Sequence, residues 1–273
     1  MKYIFLSLAA LAVIFGISFL ITGIIRKKLK KKPPVGVHIL IGIVAGLLVI
    51  CVAFFVYVGI HYPAEDEAIA VWAESDSVQV TEIDGAYMID GEGEDTALVF
   101  YPGAKVDSEA YLPLMKKLAE NGIDCFLLKA PMRIAIFDMN AAERIIDKYD
   151  YQTWLLSGHS MGGIAAAGCA AENSDVVDGV VLLASYPNNV LGDDISLLSI
   201  YGTEDMVLGR DAYEKAKSNY PSNSQEVVIT GGNHAQFGNY GRQSGDGEAT
   251  ITREEQQEKT VAAILDFVQK YDL

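Results

Sequence analysis

Two uncharged apolar stretches at the start of the chain limit its folding more than any other feature. Tyr3 to Ile25 reads YIFLSLAALAVIFGISFLITGII, and Ile39 to Ile60 reads ILIGIVAGLLVICVAFFVYVGI. Each exceeds the roughly 20 residues that a helix needs to cross a bilayer. Lipid offers the backbone no partner, so such a stretch must satisfy its own N–H and C=O groups as a helix. Between them lies RKKLKKKPP (26–34), with six basic residues: Arg26, Lys27, Lys28, Lys30, Lys31 and Lys32. Short loops rich in Lys and Arg stay on the cytoplasmic side. The expectation is a hairpin of two transmembrane helices, at about 3–25 and 39–60, whose outer ends lie across the membrane. The acidic AEDEA that follows His61 fits that placement. Residues 61–273 are therefore expected to form an extracytoplasmic domain of a multi-pass membrane protein.

A cleaved signal peptide is the alternative for the first stretch. Against it, the basic cluster follows the apolar run instead of preceding it, and no A-x-A site comes after. Ala12/Gly16 and Gly42/Gly46 have the small-xxx-small spacing that lets helices approach closely. Alanine and glycine are also simply common in such segments.

Charge is divided unevenly. Residues 1–60 hold seven Lys/Arg and no Asp/Glu, which leaves 14 Lys/Arg against all 36 Asp/Glu in the remainder. A surface that acidic repels DNA and RNA, so a nucleic-acid partner is not expected. The three cysteines, Cys51, Cys125 and Cys169, show no CxxC or metal spacing. They read as buried thiols, and the domain is not expected to rely on disulfides.

From residue 61 onward, strand and helix signals alternate. SVQVTEI and AYMID open the series as a pair of strands. TALVFY (96–101), IDCFLLK (123–129), TWLLS (153–157), GVVLLA (179–184), SLLSIY (196–201) and EVVIT (226–230) follow. Between them fall SEAYLPLMKKLAENG, with Tyr111, Leu114, Met115 and Leu118 on one helical face, and expected helices near 139–149, through Ala171, and near 211–219. Asn121-Gly122 ends the first of these helices. A last helix opens on a capping box, Thr252 and Glu255, and buries Val261, Ile264, Leu265 and Val268. Alternation of this kind predicts an α/β domain, a mostly parallel sheet with helices on both faces. Ligands in such sheets sit at the carboxyl ends of the strands, so every reacting side chain should lie just after a strand. GNYGRQSGDGEAT (238–250) reads as a glycine-rich loop.

Gly-His-Ser-Met-Gly (158–162) fits G-x-S-x-G. The pattern is weak alone, but here an apolar strand precedes it and small residues follow, as a strand–elbow–helix turn requires. Gly158 and Gly162 stand where any side chain would collide. Ser160 is the expected nucleophile. Serine needs a base. His38 borders the membrane, His61 lies at its outer edge, and His159 is expected to point away from the Ser160 hydroxyl. His234, after strand 226–230, remains as the base. An orienting carboxylate comes from IYGTEDMV, where Asp205 is preferred and Glu204 is the other candidate. The order Ser160, Asp205, His234 is the one the hydrolase arrangement uses. Backbone N–H groups of Met161 and Ala104 are the expected oxyanion donors, with Gly103 giving the chain room to turn. Lys105 and Tyr101 stand where they would touch substrate, or serve as a surface lysine and a core-edge tyrosine.

At this point the sequence resembles the α/β-hydrolase superfamily. More closely, it is similar to the membrane-associated bacterial α/β-hydrolase fold-5 proteins, relatives of the dienelactone hydrolases. The resemblance runs from about Ala68 to the end and is carried by YPGAKVDSEAYLPL, GHSMGG, LLASYP, SIYGTEDMV, GGNHAQFGNYG and GDGEATITREEQQ. It implies the α/β-hydrolase fold, the same three side chains, and an oxyanion hole near Ala104 and Met161. Many dienelactone hydrolases use a cysteine where Ser160 stands, so their substrate does not transfer. Only SYPNNVLGDDI (185–195) occupies the place where large caps insert, which implies a minimal lid.

The expected function is a membrane-anchored serine hydrolase of the carboxylesterase kind, needing no metal or organic cofactor. Its substrate would be an ester, small or attached to a lipid or envelope polymer. An acyltransferase with the same residues, a non-catalytic hydrolase-fold binding module, and a transport component are the competing readings. The last is weakest, because the apolar segments carry no ionisable group to mark an ion path.

Overall fold

The computed structural model describes residues 2–29, 34–73, 78–93 and 95–273, with side chains except at 2–10 and 73. Three of the six basic residues of the loop, Lys30, Lys31 and Lys32, lie outside the described residues. The chain divides into two compact units, Met1–Ile60 and His61–Leu273.

The first unit is a pair of helices, α1 (Lys2–Lys28) and α2 (Val35–Gly59). Gly42 and Gly46 of α2 are buried under the rings of Phe19 and Phe15 from α1, and a Cβ at either glycine would collide with them. The small-residue spacing is thus used on α2. On α1, Gly16 has nothing within 4 Å. Most of the remaining apolar surface is bare: Leu20 is 64% exposed, Leu40 60% and Phe55 55%. Among the described residues one helix, Val35–Gly59, is long and apolar enough to cross a membrane. Cys51 lies on its outer side and is exposed, which corrects the expectation of three buried thiols; Cys125 and Cys169 are buried.

The second unit is built on eight strands: β1 (Gln79–Ile83), β2 (Ala86–Asp90), β3 (Thr96–Tyr101), β4 (Ile123–Leu128), β5 (Thr153–His159), β6 (Gly179–Leu183), β7 (Ser196–Gly202) and β8 (Ser224–Ile229). Their order across the sheet is β1-β2-β4-β3-β5-β6-β7-β8. The β1–β2 and β2–β4 pairs are antiparallel and the other five are parallel. Each of the eight segments read as strands from the sequence becomes a strand. β3, β4 and β6 are buried along their whole length, because a parallel sheet is covered on both faces.

Helices supply that cover. Tyr111, Leu114, Met115 and Leu118, along α4 (Leu112–Ala119) and the 3-10 turn before it, join Ile264 and Phe267 of α8 (Arg253–Tyr271) in one core. α6 (Met161–Glu172) presents Ala165, Ala166, Cys169 and Ala170 to the other. Thr252 caps α8 through a 3.1 Å bond from the Glu255 N–H, a contact worth about 1 kcal/mol. Ala263 and Phe267 extend its buried stripe, while Leu265 and Val268 are only half-buried. Three short helices, α3 (Asp66–Ala70), α5 (Glu143–Ile146) and α7 (Arg210–Ala216), complete the set.

The helix expected near 139–149 differs. The chain instead makes 3-10 turns over Ala135–Ala142 and a four-residue α5 (Glu143–Ile146). The Tyr101 hydroxyl donates to the Met139 carbonyl at 2.6 Å and accepts the Ala142 N–H at 3.0 Å. It thereby takes two groups that a regular α-helix would have used internally.

Candidate active site

β5 runs directly into α6 through Ser160, whose φ of 55° and ψ of −122° lie outside the regions open to most side chains. Such a conformation costs about 1–3 kcal/mol and persists only where the surroundings enforce it. They do so here. A Cβ at Gly158 would enter the Gly162 backbone, and one at Gly162 would enter the Tyr101 and Pro102 carbonyls. Bonds from the Ser160 N–H to the Leu183 carbonyl at 2.9 Å and from the Ser185 hydroxyl to the Ser160 carbonyl at 2.6 Å hold the elbow. Ser160 is therefore raised at the carboxyl end of β5 and remains partly exposed.

Asp205 follows β7, and His234 follows β8. His234 Nδ1 donates to Asp205 Oδ2 at 2.9 Å, with both side chains sealed from solvent. The other carboxylate oxygen accepts the Val207 and Leu208 N–H groups at 2.9 and 2.8 Å. Asp205 thus accepts three hydrogen bonds. Glu204 is turned away, accepting from the Thr203 hydroxyl at the exposed surface. Because Nδ1 donates, the lone pair of His234 is on Nε2. That atom is buried and makes no hydrogen bond, to Ser160 Oγ or to any other group among the described residues.

Gly103, Ala104 and Lys105 form the turn after β3. Lys105 adopts φ 64° and gives its N–H to the Arg133 carbonyl at 2.7 Å. The Gly103 N–H is taken by the Tyr111 hydroxyl at 3.1 Å. Among the described residues no hydrogen bond engages the N–H of Ala104 or of Met161. Met161 opens α6, where the first N–H groups of a helix have no partner inside it.

The model of the alpha/beta hydrolase family matches residues 97–258, more than half of the chain and all of these positions. The chain belongs to the alpha/beta hydrolase family. No curated protein matches it. Solved structures share the hydrolase fold at low identity. A dienelactone hydrolase from Anabaena variabilis is 15% identical, with a TM-score of 0.51, over 70% of this chain and 98% of its own. Est1E from Butyrivibrio proteoclasticus is 15% identical, with a TM-score of 0.50, over 71% and 100%. Epoxide hydrolase A from Mycobacterium thermoresistibile is 12% identical, with a TM-score of 0.51, over 71% and 98%. At such identities the likeness is one of fold.

This alpha/beta hydrolase also holds its His234 loop with groups that reading the sequence missed. Asp246, in the glycine-rich loop, accepts the Ala235 N–H at 2.9 Å and the His234 and Met206 N–H groups at 3.3 Å. One carboxylate so ties the loop that carries Asp205 to the loop that carries His234. The GDG spacing of 245–247 was the available signal, since Asp between glycines is a turn residue with backbone donors in reach. Among the described residues no group of three or more His, Cys, Asp and Glu side chains is placed to hold a metal ion.

Proposed function

We propose that this alpha/beta hydrolase is a membrane-anchored serine hydrolase, most simply a carboxylic ester hydrolase. Ser160 is the nucleophile, His234 the base and Asp205 the carboxylate that orients it. One observation carries the reading: an imidazole whose Nδ1 is committed to a buried carboxylate keeps a bare Nε2 lone pair, and a serine raised on an elbow stands at the same carboxyl edge of the sheet, after β5, three strands from β8.

The reaction follows from these groups. A bound ester places its carbonyl carbon over Ser160 Oγ, and the hydroxyl turns its proton toward His234 Nε2. Catalytic bonds of this kind often tighten only once substrate is bound. As Oγ attacks, the proton moves to Nε2, and Asp205 stabilises the imidazolium. The carbonyl oxygen, now negative, takes the Ala104 and Met161 N–H groups. Collapse expels the alcohol with the proton from His234 and leaves an acyl-serine. Water, deprotonated by the same nitrogen, then releases the acid and restores the serine. An acyltransferase differs only in admitting an alcohol at that second step. The short 185–195 connection leaves the site open to an ester on a large body, such as a lipid or envelope polymer.

The membrane part of the proposal is a two-helix hairpin, with loop 26–34 cytoplasmic and residues 61–273 on the outer side. The bare apolar surfaces of both helices support it, as does the basic last turn of α1, Arg26, Lys27 and Lys28.

Labelling with a fluorophosphonate probe tests the chemistry. The full chain in detergent should take up the probe, and Ser160→Ala should abolish both labelling and hydrolysis of activated esters. Equal turnover by wild type and Ser160→Ala sinks the reading.

A further inference from the structure

A buried pair outside the three reacting side chains joins the oxyanion turn to the base. Tyr111, before α4, and His159, the last residue of β5, are 0% and 1% exposed. The Tyr111 oxygen accepts the Gly103 N–H at 3.1 Å and lies 2.8 Å from His159 Nδ1. Among the described residues the Tyr111 proton has no acceptor other than His159 Nδ1, so the hydroxyl donates to it. His159 is then the neutral tautomer with its hydrogen on Nε2. Burial first, and then the neighbouring His234, hold His159 well below the ordinary histidine value, while the His234 backbone acts weakly in the other direction. Burial likewise raises Tyr111, so both groups stay uncharged.

The His159 ring packs against the base. Its centroid lies 4.4 Å from that of His234 at 50°, with Phe237 at 5.7 Å and Tyr240 at 6.4 Å closing other sides. On the other edge, a Cβ on Gly103 would come within 2.8 Å of both His159 Nδ1 and the Tyr111 oxygen. Turn, hydroxyl and two imidazoles therefore form one unbroken stack.

We infer that Tyr111 and His159 are a positioning pair, a strut that sets the oxyanion turn at Gly103–Ala104 against the imidazole of His234. The inference rests on the serine-hydrolase reading of the same site. Oxyanion donors and base must serve one carbonyl group at once, and an error of about 1 Å in such a placement costs on the order of 100-fold in rate. The strut is also the right neighbour for a ring that becomes charged. A neutral imidazole leaves the developing His234 cation unopposed, whereas a second cation at 4.4 Å would repel it.

Tyr111→Phe keeps the ring and removes only the hydroxyl. In the full chain in detergent micelles, kcat on an activated ester should fall about 10- to 100-fold with KM within about two-fold. His159→Gln, whose amide oxygen can accept the Tyr111 proton, should recover at least about ten-fold over His159→Leu. A second arm needs no turnover. Spectra of 15N-histidine, 15N-glycine protein should show His159 as the Nε2–H tautomer, and Tyr111→Phe should move both the Gly103 amide and the His234 ring signals. Unmoved His234 signals overturn the inference, and so does an unchanged kcat in an active enzyme. If the wild type hydrolyses no ester, the hydrolase reading fails and the spectra alone decide the strut.

Discussion

Gln256 on α8 grips both backbone polar groups of Asn233, the residue before His234: its Oε1 accepts the N–H at 3.0 Å and its Nε2 donates to the carbonyl at 2.8 Å. The side chain is 0% exposed. Gln256→Leu leaves two buried groups unsatisfied, at about 1–3 kcal/mol each. Denaturant unfolding should show a loss of about 2–5 kcal/mol, and ester turnover should fall further than the folded fraction does. An unchanged midpoint contradicts this.

Asp205 and Glu204 are adjacent in sequence, yet only Asp205 reaches His234. Asp205→Asn should lower kcat by about 10³- to 10⁴-fold, because an amide favours the wrong tautomer of His234. Glu204→Gln should stay within about two-fold. Steady-state kinetics on an activated ester separate the two, and comparable losses would remove Asp205 from its role.

Gly162→Ala drives a methyl group into the carbonyls of Tyr101 and Pro102, which belong to the sheet and its first turn and have no room to yield. The cost should be about 4 kcal/mol or more, enough to deplete folded protein. Gly192→Ala meets nothing within 4 Å and should express as wild type does. Soluble yield after detergent extraction and thermal unfolding compare them.

Burial of neutral His159 makes stability depend on pH. In the unfolded chain this histidine takes a proton near its ordinary value of about 6.5; folded, it takes one only at considerably lower pH. Between those values the unfolded state binds more protons, so stability falls as pH falls, by up to about 1.4 kcal/mol per pH unit. Above about pH 6.5 the contribution is fully present. Unfolding midpoints recorded from pH 7 to 5 should drop, and His159→Phe should flatten that slope. Parallel slopes contradict it.

Membrane orientation is tested in a Cys-free parent, with Cys51, Cys125 and Cys169 replaced. A cysteine placed at 26–28 should resist impermeant thiol reagents in intact cells, and one placed at 242–245 should react. The reverse pattern inverts the proposed topology.

Much of this protein was written along the chain. Apolar runs rich in Val, Leu and Ile marked the inner strands β3 to β7, since a strand buried on both faces admits little else. Gly158 and Gly162 marked the elbow because the clash they avoid is local. What the chain order left open was decided across distance. Tyr101 redirected the expected 139–149 helix from 38 residues away, through a hydroxyl that outbid the helix for two of its backbone groups.

Residue types and their order by themselves determined the sheet, the elbow and the candidates Ser160, Asp205 and His234, because each depends on periodicity or on neighbours a few residues off. Only the tertiary structure placed Asp205 rather than Glu204 against His234, tied Asp246 and Gln256 to residues 233–235, and stacked His159 between Tyr111 and His234. Those contacts join segments 11 to 75 residues apart, and a buried polar group finds its partner only when the sheet has brought such segments to one rim.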